Sequence, residues 1–210
     1  AAPIGSGKTS LLSEWHRRLD ERKDEYRTTW ITVDGEDCDK ARFWRHFLAA
    51  LARIIPELNE DHFFALYGQD PKAFYHELSN FLYRSIEGDR TVPVIFIDNL
   101  DAAPSLFIAE ILGFIGEYLP KRFHVIAAGA HFPAKCIQVN RRNDVCFFPY
   151  EKLAFSQEET TVITRYVVKT SDVEKIAATL QAITEGWITG VRSCIEAISH
   201  GVISSDQDQY

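Results

Sequence analysis

Apolar positions along this chain recur at two spacings, and their alternation predicts the elements. Ser10-Leu11-Leu12-Ser13-Glu14-Trp15 and Leu19 place apolar groups at helical spacing directly after Lys8. A charged turn from Asp20 to Asp24 leads into Thr28-Thr29-Trp30-Ile31-Thr32-Val33, a strand rich in β-branched and aromatic residues that is broken by residues 34–39. Phe43, Phe47 and Leu51, flanked by Trp44, Leu48 and Ile55, recur every four residues. They predict an amphipathic helix whose aromatics are core rather than a platform for stacking a nucleotide base. Asp70-Pro71 is a helix start, Asp as cap and Pro at the first position, with Phe74, Leu78, Phe81 and Leu82 on the buried side.

Val92-Pro93-Val94-Ile95-Phe96-Ile97-Asp98 is a continuous apolar run that ends in an acid. Such a run predicts a strand buried on both faces whose carboxyl end emerges at a site. A helix from Ser105 to Leu119 follows, stopped by Pro120, with Leu106, Leu112, Ile115 and Leu119 available to pack on a sheet. Further strands are predicted at 123–128 and at 145–148. Strands alternating with helices imply a parallel α/β sheet. From Leu153 the pattern is helical only. Ser156-Gln157-Glu158-Glu159 and Ser171-Asp172-Val173-Glu174 read as capping boxes. Ile163, Tyr166 and Val167 are expected to face inward on the first of these helices, and Val173, Ile176, Ala177, Leu180 and Ile183 on the second. A third runs from near Trp187 to His200, and the polar tail from Ser204 is expected to fray. The division predicted is a core over 1–152 and a small helical lid over 153–210.

The candidate chemistry sits at the front. Ala2-Pro3-Ile4-Gly5-Ser6-Gly7-Lys8-Thr9 fits the phosphate-binding pattern G-x-x-x-x-G-K-[ST], with Ala2 in the first glycine position. Backbone N–H groups from Ile4 to Thr9 can wrap a phosphate because Gly5 and Gly7 admit backbone angles closed to other residues. Lys8 would reach the β- and γ-phosphates, Thr9 would ligate Mg²⁺, and Ser10 continues into the helix whose N-terminal dipole favours the anion. Asp98 would hold the same Mg²⁺ from the opposite side. Since a phosphate loop joins a strand to a helix, the chain is expected to be a fragment cut just after its first strand.

Composition narrows the function. The 210 residues carry a formal charge of −7 without a Lys/Arg stripe, so direct nucleic-acid contact by this segment is not expected. Cys38, Cys136, Cys146 and Cys194 lack C-x-x-C spacing, which argues against zinc and against a disulfide framework. His124 and His131 have no metal-ligand spacing with Cys136. No signal peptide or bilayer-length apolar run is present, and the expected location is cytoplasmic.

Taken in order, the loop, Trp30-Ile31-Thr32-Val33-Asp34 followed by Ala41-Arg42-Phe43-Trp44, the strand ending in Asp98, Leu153-x-Phe155-Ser156-x-x-Glu159 and Thr184-Glu185-Gly186-Trp187-x-x-Gly190 resemble MalT-like regulators. These are LuxR-family transcriptional activators of bacteria with an N-terminal ATPase module of the STAND class. The resemblance implies a phosphate-loop NTPase fold with sheet order 5-1-4-3-2, so the strands ending at Val33, Ile97 and Ala128 should be contiguous and the strand at 145–148 should stand apart. It also implies an ATP/ADP switch, with Mg²⁺, in which nucleotide exchange controls self-association and DNA binding by sensor and helix-turn-helix domains outside this chain.

Departures from the family bear on turnover. Its second acid after the strand is here Asn99, and Asp101 is the nearest candidate to replace it. A Ser-Arg pair after the next strand corresponds to Ala128-Gly129, and Arg141 and Arg142 lie in the following loop. Asp98, Asn99 and Asp101 are therefore the candidates for a slow ATPase. The alternatives are a nucleotide-binding module without turnover and a phosphate-loop enzyme of another class, such as a small-molecule kinase. Gly186 and Gly190 look like close-packing positions around Trp187, itself read as core rather than as an adenine contact.

Overall fold

The computed structural model describes residues 2–35, 39–132 and 146–200. Its elements are α1 (Lys8–Asp20), β1 (Tyr26–Thr32), α2 (Lys40–Ile54), α3 (Glu60–Gln69), α4 (Pro71–Ile86), β2 (Val92–Asp98), α5 (Ser105–Tyr118), β3 (His124–Ala127), α6 (Gln157–Val167), α7 (Val173–Thr184) and α8 (Ile188–Ser199). The chain divides into two compact units. One holds the described residues between Thr9 and Phe147, and the other joins Ala2–Lys8 to the described residues from Phe148 onward.

The first unit is mixed α/β, with a parallel three-stranded sheet in the order β1-β2-β3. β2 is central because its run is apolar on both faces. Val94 and Phe96 pack with Leu12 of α1 and Ala128, alongside the partly buried Trp15, Leu19, Trp30 and Ile126. Ile95 and Ile97 point the other way, into a cluster with Phe43, Trp44, Phe47 and Leu51 of α2, Phe74, Leu78 and Leu82 of α4, and Phe107, Ile111 and Phe114 of α5. From Pro93 to Asp98 each side chain of the run thus leaves water, as the alternation of a strand covered on both faces requires.

Caps set the helix starts on the second face. Asp39 accepts from the Ala41 N–H at 3.0 Å, and Asp70 accepts from Lys72 at 2.9 Å and Ala73 at 3.2 Å, with Pro71 opening α4. Asn59 caps α3, accepting from His62 at 3.0 Å, and Glu60 and Asp61 complement the helix dipole. α3 was not anticipated, since Phe63-Phe64-Ala65-Leu66-Tyr67 is a continuous apolar block that hides the period of a short helix. In α5 the inward side is Phe107, Ile108, Ile111 and Phe114, whereas Leu106, expected to pack, is 87% exposed. The aromatic cluster also encloses Tyr75, whose hydroxyl donates to Glu110 at 2.6 Å. Burial first, and then the neighbouring Glu110, pushes that phenol far above the ordinary tyrosine range.

The three strands that were expected to be contiguous are paired side by side. Of the expected fourth strand, Val145 lies outside the described residues, while Cys146, Phe147 and Phe148 are exposed and in no strand.

In the second unit, α6 carries the capping box as read: Ser156 Oγ accepts from the Glu159 N–H at 3.2 Å, and Glu159 accepts from the Ser156 N–H at 2.8 Å. The second box is not formed. Asp172 occupies the cap of α7 and makes no side-chain cap bond, so Ser171 falls one position too early to reach the helix. The core here is Val168, Ile176, Leu180, Val191 and Ile195, with Phe155 and Ile163 partly buried against it. Tyr166 is 87% and Ile183 71% exposed, contrary to expectation, and Val167 is exposed too. The buried positions of α6 are instead Thr160 and Thr164. Thr160 donates to Gln181 Oε1 and Thr164 donates to the Thr160 carbonyl, both at 2.7 Å, which lets hydroxyls line a buried stripe. The tail from Ser204 lies outside the described residues.

Candidate functional site

The loop of residues 2–8 is built on two left-handed glycines, Gly5 at φ +77° and Gly7 at φ +81°. A non-glycine residue in that region costs about 1–3 kcal/mol, so the sequence has glycine where the chain must turn this way. Ser6 is buried and closes the turn: its N–H and its hydroxyl both donate to the Pro3 carbonyl, at 3.3 and 2.7 Å. Lys8 Nζ folds back over the loop and donates to the carbonyls of Ala2 at 2.6 Å and Pro3 at 2.7 Å. Ile4 is 84% exposed, its apolar side chain presented to solvent by the turn.

In the same unit, the start of α8 grips this loop. Trp187 caps α8, is 38% exposed and donates from its indole Nε1 to the Ile4 carbonyl at 3.0 Å. Thr189 donates twice to the Gly5 carbonyl, from its hydroxyl at 2.8 Å and its backbone N–H at 3.2 Å. Trp187 is therefore a loop contact and not a core residue, which corrects the sequence reading. The glycines around it do allow close packing. A Cβ on Gly190 would lie 2.7 Å from Trp187 Cε3, and one on Gly186 would lie 2.2 Å from the Phe155 carbonyl oxygen. The spacing Gly-Trp-x-x-Gly signalled a tight approach, but not what was being approached.

Thr9, next in the chain after Lys8, and Asp98 belong to the α/β unit. Thr9 Oγ1 donates to Asp98 Oδ2 at 2.8 Å, across 89 residues of sequence. Asp98 is 5% exposed at the carboxyl end of the central strand. A hydroxyl and a buried carboxylate in contact form an all-oxygen pair suited to a hard cation such as Mg²⁺.

The strand end is fixed on both sides. Val33 N–H donates to the Asp98 carbonyl at 3.0 Å, Ala128 N–H to Ile97 at 2.8 Å, and Leu100 N–H to Ala128 at 2.8 Å. Asn99 turns the chain in a left-handed conformation, φ 58° and ψ 35°, and its Nδ2 donates to the Val33 carbonyl at 2.9 Å. Asp101 sits in the short 3₁₀ turn that follows, against Gly129, where an added Cβ would come within 2.8 Å of its Oδ1. A side chain at 129 would thus collide with Asp101 as it stands.

Ser10 is exposed on the first turn of α1. His124 and His131 are exposed, and among the described residues no group of three His, Cys, Asp or Glu could hold a metal. Arg141, Arg142 and Cys136 lie outside the described residues. No helix among those described is long and apolar enough to cross a membrane. No family model matches the chain, and no curated protein matches it in sequence.

Proposed function

We propose that this chain is a nucleotide-binding switch module, and that ADP/ATP exchange in it governs self-association and DNA binding by domains outside the chain, as its resemblance to MalT-like LuxR-family regulators implies. The observation that carries the reading is the sequence Gly5-Ser6-Gly7-Lys8-Thr9, with both glycines left-handed and Thr9 bonded to a buried aspartate at the end of the central strand of a parallel sheet. An unrelated glycine turn before a helix has no need of a lysine and a threonine in that order, nor of a carboxylate buried opposite the threonine.

Thr9 and Asp98 would hold Mg²⁺, which when bound neutralises phosphate charge. Loop N–H groups and Lys8 would hold the phosphates themselves, the lysine exchanging its loop carbonyls for phosphate oxygens. A γ-phosphate adds contacts that a diphosphate lacks, and that difference in affinity between two states is what a switch needs.

A second reading, binding with slow or no turnover, is favoured by Asn99. Its amide is committed to the Val33 carbonyl, and an amide cannot take a proton from water. A small-molecule kinase would further need a constellation for the phosphate acceptor, and no residues of the described chain suggest one.

The test is to denature the purified protein and identify released nucleotide by chromatography, with Lys8→Ala as control. ADP at near one per protein, lost in the control, is expected for a resting switch. ATP retained intact would favour the module without turnover. A protein that is empty and also fails to bind added nucleotide would overturn the proposal.

A further inference from the structure

Within the helical unit, three hydrogen bonds run from the start of α8 to consecutive carbonyls of the glycine loop. A peptide unit is planar, with its N–H and C=O pointing in opposite directions. Holding the Ile4 carbonyl on the Trp187 indole therefore turns the Gly5 N–H away from α8. Holding the Gly5 carbonyl on Thr189 fixes the next peptide, whose N–H on Ser6 closes the turn onto Pro3. The loop glycines answer to α8 as well as to their own backbone angles. A Cβ on Gly5 would lie 2.3 Å from Thr189 Oγ1, and one on Gly7 would lie 2.8 Å from Ile188 Cδ1.

We propose that Trp187 and Thr189 are positioning residues of the nucleotide site: by occupying the carbonyl side of the Ile4–Gly5 and Gly5–Ser6 peptides they hold the loop in its phosphate-ready conformation. The inference rests on the nucleotide reading above and adds to it a residue pair 183 and 184 positions further along the sequence from its loop partners. The loop is a seven-residue segment rich in glycine, the residue that loses most backbone freedom on ordering. Ordering it in advance lowers what phosphate binding must otherwise supply. Neither residue touches the phosphate in this account, so their effect appears in affinity through the loop.

The experiment titrates an N-methylanthraniloyl derivative of ADP, with Mg²⁺, into the whole chain and into Trp187→Phe, Thr189→Val, Thr189→Ser and Lys8→Ala, and records the thermal melt of each without nucleotide. Trp187→Phe keeps an aromatic ring, though a smaller one, and removes the N–H donor, and Thr189→Val keeps the shape and removes the hydroxyl. Each is expected to raise Kd about three- to tenfold, the worth of one neutral hydrogen bond. Thr189→Ser should bind within about twofold of the parent, because it restores the donor. Lys8→Ala should lose about 100-fold or more, as the ammonium meets phosphate directly. If the parent binds and Lys8→Ala does not, while Trp187→Phe and Thr189→Val bind like the parent, the positioning role is overturned and the nucleotide reading stands. A Thr189→Ser protein as weak as Thr189→Val also overturns it, because the donor would then not be what matters. Where Thr189→Val melts early, Trp187→Phe and Thr189→Ser decide. A parent that binds nothing overturns both inferences.

Discussion

Asn99 shows how one residue can be suited to its place for local reasons while bearing on chemistry. Asparagine tolerates the left-handed region better than most residues, and this one also gives its amide proton to the Val33 carbonyl just past the end of β1. An aspartate there would set one acceptor against another. Asn99→Asp should therefore destabilise the α/β unit by about 1–2 kcal/mol in urea unfolding. Nearby, Asp98→Asn keeps an acceptor for the Thr9 hydroxyl and removes the charge. Nucleotide affinity should then lose most of its dependence on Mg²⁺, measured by titration with and without the ion. On the outer side of α1, Glu14 pairs with Arg17 and also with Arg18. These guanidiniums, Arg17 foremost, hold its carboxyl down at about 2. A carboxyl depressed in the folded state contributes above its ordinary range near 4.3 and loses that contribution as pH falls toward 2. Carbon-detected titration of Glu14 should show its midpoint near pH 2, with little change in stability because the pair is exposed.

Among the elements, those whose apolar pattern has one explanation were legible. β2 could be read to both its ends, because a seven-residue apolar run closed by an acid fits little else, and the capped start of α4 was equally plain. Which way a helix faces was harder. Leu106 and Ile183 are apolar residues one step outside the buried stripe, and spacing alone admits them. In α6 the stripe itself was disguised, because Thr160 and Thr164 count as polar by composition yet are buried with their hydroxyls satisfied, Thr160 on Gln181 of α7 and Thr164 on the Thr160 carbonyl. The contrast in α5 is testable. Ile111→Ala should cost about 2–5 kcal/mol through the cavity it leaves, whereas Leu106→Ser should stay within about 0.5 kcal/mol, both read from urea midpoints. Gly186→Ala should destabilise the helical unit by about 1–3 kcal/mol or more, since φ +78° is unfavourable for alanine and its Cβ would meet the Phe155 backbone.

At the scale of the whole molecule, the candidate site was partly legible from the chain. The loop and Asp98 announce themselves by residue type and by their positions at element ends. Thr189 could not be found that way, and Trp187 stood out only through its flanking glycines and read as core, because what the two residues do depends on a contact with a loop far away in the sequence. Net charge belongs to this scale too. At −7 without a basic stripe, the chain should show no retention of duplex DNA in filter binding at physiological salt, where phosphate contacts by Lys and Arg supply the affinity. Retention would mean that this segment contacts nucleic acid itself.

The central place of β2 has a consequence in time. Residues Val94 to Ile97 are paired to a neighbour on each side and covered on both faces. Their amide hydrogens cannot reach solvent by fraying at an edge. In deuterated water they should be the last of the sheet to exchange, and the rate at which they do so becomes a clock for the opening of the entire α/β unit.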